Sequence, residues 1–199
     1  VHMIKQQQLN LSFKIASFFL SVFILSSFLS IYGNVKEIQV DKSKSVVGFN
    51  VNQFGLGMVE GKFENYDIYC EINGNTITSL NASIKIESIK TGNKTRDRHL
   101  QSKQFFYAKK HPEIVFEMIR PIKLSDTLLY GKLTIRGVEI ELAIPVEIKK
   151  SVENNKQIII AKTINHEFNR DIFGLLTYVN LISNLVQTNI YVTFSSDEI

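Results

Sequence analysis

From Asn34 to the C-terminus the hydrophobic residues recur at every second position, and no other feature narrows the fold so far. Phe49 and Val51 alternate with Asn50 and Asn52, and Ala82, Ile84 and Ile86 alternate with Ser83, Lys85 and Glu87. Val138, Ile140, Leu142 and Ile144 stand opposite Glu139, Glu141 and Ala143. Near the end Val186, Thr188, Ile190, Val192 and Phe194 share one face, with Gln187, Asn189, Tyr191 and Thr193 on the other. Successive side chains of an extended chain point to opposite sides, so these are strands with one apolar and one wet face. A parallel α/β sheet, covered on both faces, would not alternate so cleanly. Turn residues separate the runs at Asn73-Gly74-Asn75, Ser125-Asp126, Arg136-Gly137 and Asn154-Asn155. About eight strands with short hairpin connections predict an all-β antiparallel sheet that curls on itself, as a barrel or a sandwich.

One segment departs from the alternation. Thr91 to Pro112 (TGNKTRDRHLQSKQFFYAKKHP) has no period-two stripe and is rich in charge. Asn93 or Thr95 is placed to cap a short helix through Arg96 to Gln101, with Leu100 on its inner side. Pro112 ends the excursion before the strand Ile114 to Met118. The predicted helix and long loop, around residues 93–111, would cover an open end of a barrel, and long excursions from a rigid scaffold are where function concentrates. Phe105-Phe106-Tyr107 on this excursion either plug the core or line the mouth of a pocket for an apolar molecule.

The N-terminus is of a different kind. Val1 and His2 precede Met3 and read as additions or a misplaced start. Lys5 and Lys14 then precede a charge-free run, Ile15 to Ile31 (IASFFLSVFILSSFLSI). A positive stretch before a compact apolar run is the pattern of a secretory signal helix. At about 17 residues the run is short for a membrane span. Residues 1–33 are therefore expected to be a signal peptide, or else an uncleaved membrane anchor, and residues 34–199 one barrel domain, periplasmic or secreted. The single cysteine, Cys70, precludes an intramolecular disulfide. It lies in the alternation Ile68, Cys70, Ile72 and reads as a small apolar filler.

Charge and motifs exclude several functions. The chain carries 23 Lys+Arg against 19 Asp+Glu; without Lys5 and Lys14 the balance is 21 to 19, too even for a nucleic-acid footprint. Gly55-Leu56-Gly57 with Gly61 has the wrong spacing for a dinucleotide loop, and strand alternation rather than a helix follows. His2, His99, His111 and His166 share no metal-ligand spacing, so no metal and no cofactor are expected. No G-x-S-x-G elbow or framed carboxylate pair is present. Arg96-Asp97-Arg98-His99 suggests acid/base work, but Asp97 more simply anchors neighbouring donors and fixes the loop.

Three ordered blocks carry a resemblance. Thr91-Gly92-Asn93, Arg96-Asp97, His99-Leu100 and Phe105-Phe106 precede His111-Pro112-Glu113-Ile114-Val115-Phe116. Gly131-Lys132-Leu133-Thr134-Ile135-Arg136-Gly137 forms the second block. Phe168-Asn169-Arg170-Asp171 through Phe173-Gly174-Leu175 forms the third. With the opening Val40-Asp41, Ser45 to Val51 and Val59 to Phe63, they span residues 38–195 and resemble the YceI-like proteins, exported bacterial lipid-binding domains. The resemblance implies a lipocalin-like eight-stranded barrel with an elongated apolar pocket for a polyisoprenoid or similar long-chain amphiphile. The absence of Trp argues against a true lipocalin. Gln53 stands where the family commonly has His, Lys132 where it has Asp or Asn, and Asp171-Ile172-Phe173 is one residue longer than many members.

On this basis the expected apolar lining is Phe49, Val51, Phe63, Ile84, Ile86, Phe105, Phe106 and Ile140. Arg96, His99 and Arg170 are expected at a polar mouth. The expected function is an exported, non-catalytic lipid carrier. The alternatives are a lipid-acting enzyme using Arg96, Asp97 and His99, and a structural barrel with a filled core. The expected partner is a long-chain lipid, with membrane proximity through an uncleaved leader and a homodimer left open.

Overall fold

The computed structural model describes residues 35–55, 57–178 and 180–196. The leader reading, on residues 1–33, falls outside them. The barrel occupies the compact unit that begins at Lys36.

Eight antiparallel strands follow one another around a closed ring. β1 comprises Lys36–Val40 and Val46–Gln53, β2 Gly57–Phe63 and Tyr66–Asn73, β3 Thr76–Lys85 and Ile89–Lys90, and β4 Glu113–Met118 and Ile122–Lys123. β5 is Leu128–Ile135, β6 Val138–Glu153, β7 Lys156–Thr163 and Glu167–Asn169, and β8 Ile182–Ser196. Five strands are broken once, so the ring consists of 13 hydrogen-bonded segments. Each strand pairs with its neighbour in sequence: Val47↔Phe63, Tyr66↔Ile84, Ser83↔Val115, Val115↔Thr134, Ile140↔Leu133, Ile148↔Ala161 and Ile160↔Thr193. β8 closes onto β1 through Ile190↔Val47 and Val40↔Phe194. Closure leaves no unpaired edge to template aggregation.

The hairpins follow from their turn residues. Arg136 and Gly137 both have positive φ, 56° and 78°, between the paired Ile135 and Val138, and Asn154 and Asn155 do the same at 49° and 64° between Glu153 and Lys156. Positive φ at both central residues matches the right-handed twist of the flanking strands. Inside the wall, the Phe49 ring lies over Gly61, its cross-strand partner, where any Cβ would collide with it. The Phe116 ring covers Gly131 in the same way.

The excursion forms α1, Lys94–Gln101, with the Asn93 side chain accepting from the backbone N–H of Thr95 and Arg96. A carboxamide in that position satisfies two of the four free donors of the first turn. Leu100 packs inward against the cluster that contains Phe63 and Ile135. A 3-10 turn, Arg170–Phe173, follows β7 and ends at Gly174 in the left-handed conformation, φ 70°.

The core is divided by level. Ile38, Cys70, Ile72, Ile77, Ile122, Ile159, Val192 and Phe194 pack together toward the Asn73-Gly74 end. Val47, Phe63, Tyr66, Ile86, Ile89, Ile114, Ile135, Phe173 and Leu175 form a second cluster nearer α1. Cys70 is free and fully buried, and burial pushes its thiol up to about 12, which agrees with a filler role.

Candidate functional site: a cavity through the middle of the barrel

Between the two clusters the barrel is hollow. A cavity of about 670 Å³ is walled by inward positions from all eight strands and reaches the rim formed by α1 and the chain after Gly174. The filled-core alternative does not hold. The inward face of β8 supplies Val186, Thr188, Ile190, Val192 and Phe194, the set that its alternation marks out.

Six of the eight expected apolar residues line this space: Phe49, Val51, Phe63, Ile84, Phe105 and Phe106. Ile86 and Ile140 do not, and both need correction. Ile86 falls in the 3-10 turn Ile86–Ser88 that interrupts β3, so the period-two phase is lost there and the side chain is fully enclosed in the second cluster. Ile140 faces inward but packs against that cluster, and on β6 the cavity is met one level further on, by Ile144 and Val146. The aromatic rings form a connected set: Phe49 and Phe63 lie 5.8 Å apart, and Phe63 and Phe106 6.4 Å apart, edge to face.

Arg96, His99 and Arg170 all reach the cavity wall, yet much of their hydrogen-bonding capacity is spent on the protein. Asp97 accepts from the Thr91 N–H at 2.9 Å and its hydroxyl at 2.7 Å. Arg96 donates Nε to the same hydroxyl at 2.8 Å and Nη2 to the Thr91 carbonyl at 2.7 Å. Asp97 thus anchors the loop, through Thr91 rather than through the neighbouring arginines. Arg170 is buried, and its guanidinium donates to the carbonyls of Ser183 (3.0 Å), Thr177 (3.0 Å), Ile182 (3.2 Å) and Leu175. Burial lowers its pKa, with Asp171 opposing that shift. Arg136 donates to the carbonyls of Gly174 and Lys103, and the Thr177 hydroxyl donates to Gln104 O at 2.5 Å. These residues of the three sequence blocks therefore fasten the rim. His99 is the more open one: Nε2 lies 3.0 Å from Gln104 Oε1, and the ring stands edge-on to Phe105 at 5.2 Å and Tyr178 at 5.6 Å.

Sequence reasoning missed one buried polar group in the wall. His166, buried in the break between the two segments of β7, lies with Nδ1 3.2 Å from Thr188 Oγ1. The Thr188 hydroxyl lies 3.2 Å from the His166 ring and 3.3 Å from the His166 carbonyl oxygen, so the imidazole is held against β8 by a single hydroxyl. Burial lowers the His166 pKa, favouring the neutral ring. The available signal was Thr188 itself, a hydroxyl on an otherwise apolar inward face.

Comparison with known proteins agrees with the architecture. The model of the YceI-like domain family matches residues 38–196. A UPF0312 protein of Staphylococcus epidermidis is 30% identical over 135 residues, covering 64% of this chain and 77% of its own. The crystal structure of Campylobacter jejuni YCEI protein is 30% identical, covering 70% of this chain and 86% of that one at a TM-score of 0.64. A polyisoprenoid binding domain from Saccharophagus degradans, implicated in plant cell wall breakdown, covers 82% of this chain and 99% of its own at a TM-score of 0.64. At 13% identity that last likeness speaks to the fold alone.

Proposed function

Starting from a chain that belongs to the YceI-like family, we propose that it is an exported, non-catalytic carrier that holds a polyisoprenoid or similar long-chain amphiphile in the bacterial envelope. The observation that carries this reading is the cavity: about 670 Å³, walled by aliphatic and aromatic side chains, and open at one end of a closed barrel. A hydrocarbon chain gains about 0.8 kcal/mol per buried CH₂, so length supplies affinity and few polar contacts are needed. The scarcity of uncommitted polar groups in the wall suits such a ligand. Asp97 and Arg96, the pair an acid/base mechanism would need, are held on Thr91. The His166 imidazole offers one polar contact to a ligand hydroxyl in the wall, and His99 a second at the rim. Export is motivated by the charge-free run after Lys14.

Organic extraction of the purified protein followed by mass spectrometry tests the proposal. A long-chain isoprenoid or acyl species at near-stoichiometric yield is expected. Absence of any such species, together with no saturable uptake of added polyprenol, overturns it.

A further inference from the structure

The apolar character of the cavity continues onto the outer surface at its open end. Phe54, at the tip of the β1–β2 hairpin, donates its N–H to Leu181 O at 2.9 Å, so the hairpin and the chain leading into β8 lie side by side. Phe54, Met58, Leu176, Tyr178 and Leu181, all from these two segments, are 45–60% exposed. Tyr178 and Leu181 also line the cavity, so apolar side chains extend from the interior onto the lip. Exposed apolar residues scattered singly require no explanation, but five gathered around one opening do.

The α1 excursion beside this lip is strongly basic, while Glu60, Glu167 and Asp171 lie further along the neighbouring segments. Residues 93–112 carry six basic side chains, Lys94, Arg96, Arg98, Lys103, Lys109 and Lys110. Their one acidic residue, Asp97, is buried on Thr91. Residues 52–58 and 174–185 contain no Asp or Glu. α1 and its following loop border the lip directly, through the Tyr178 ring on His99 and Phe105 and the Thr177 hydroxyl on Gln104 O. An apolar lip whose own segments lack carboxylates, flanked by cations, is complementary to an anionic bilayer: headgroup phosphates meet the cations and acyl chains meet the rings.

We propose that the open end of the barrel docks on the surface of an anionic lipid bilayer, with Phe54 and Leu181 entering the acyl boundary. A long-chain lipid then passes between bilayer and cavity along the lip without crossing water. This transfer role rests on the carrier reading above, whereas docking is measured separately from it.

The chain has no Trp, so a single introduced one is a clean reporter. Phe54→Trp places it on the lip, and Val152→Trp, at an exposed site beside the β6–β7 turn, places it at the other end. Full-length protein is titrated with vesicles of phosphatidylcholine alone or mixed with phosphatidylglycerol, with and without brominated acyl chains. The expected result is a blue shift and bromine quenching at position 54 with anionic vesicles, none at position 152, and about fivefold weaker binding for each of Lys94→Gln and Lys103→Gln. Quenching equal at both positions, or absent at 54, overturns docking, as does a shift at 54 that follows protein concentration without vesicles and so reports a second copy. Binding of polyprenol added from ethanol while the indole introduced at position 54 stays in water removes the docking and keeps the carrier. Docking without polyprenol uptake does the reverse.

Discussion

The two ends of the barrel are built from the same eight strands and differ in what the inward side chains meet. Toward the Asn73-Gly74 end, Ile38, Cys70, Ile72, Ile77 and Ile122 meet across the barrel and fill it, each at most 3% exposed. Toward α1, Phe49, Phe63, Ile84 and Phe106 face a void, and the closure is made by loops. Those loops are held by polar fastenings: Asp97 and Arg96 on Thr91, Arg136 on Gly174 and Lys103, and Arg170 on four carbonyls. Both ends thus carry apolar clusters, but only the Asn73-Gly74 end is filled across, while at the α1 end hydrogen-bonded loops hold the rim around the cavity. A carrier needs both, because a filled barrel holds nothing and an unfastened rim collapses into the space it surrounds.

The sharpest way to break the comparison is to remove the same atoms at each end. Ile77→Ala, in the filled end, is expected to cost about 3–4 kcal/mol by denaturant unfolding, and Ile84→Ala, facing the cavity, about 1 kcal/mol, since the neighbours that Ile77 has are missing there. Equal losses would mean that the two ends are packed alike. Next in size, Arg170→Met is expected to cost about 2–3 kcal/mol because four carbonyls lose their donor. The accompanying rise in hydrogen exchange should be confined to residues 175–183 and spare the strands around Cys70. Arg170→Lys should not rescue it, since one ammonium cannot span the fork of acceptors.

A smaller effect is expected at Gly61. Gly61→Val should displace the Phe49 ring and lower the capacity for bound lipid, with unfolding changed by about 1–2 kcal/mol. The smallest is a pH dependence. His166 has a pKa below its ordinary 6.5 in the folded chain because it is buried. The unfolded chain therefore takes up this proton first as pH falls. The stability linked to it is complete above about pH 6.5 and is lost as pH falls through the lower, folded value. Comparing Tm at about pH 7.5 and about pH 5.5, wild type should fall further than His166→Gln. Identical shifts in the two proteins would place His166 in contact with water.

Much of this is legible in the sequence. The alternation along β6 and β8 marks the inward faces because the pleat has a strict period of two, and the four turn signals each coincide with a connection between strands. Asn93 was readable as a cap because its acceptor lies three residues ahead of the N–H it serves. The failures have a common cause. Ile86 carries the alternation of Ala82 and Ile84 past the point where β3 breaks, and nothing local announces the break. Arg96 and Arg170 reach the cavity wall where they are expected, but the bonds they spend on Thr91 and on backbone carbonyls carry no sequence signature. His166 and Thr188 are 22 residues apart and meet only because β7 and β8 are neighbours.

The residues by themselves determined the chemistry of each strand face, the hairpin turns and the all-β antiparallel class, because those depend on local backbone geometry and on a repeat that one strand can display. Whether the inward side chains would meet or leave a gap was decided only by the assembled barrel. That outcome depends on how volumes contributed by strands far apart in the chain add up at each level, and no single stretch of sequence contains that sum.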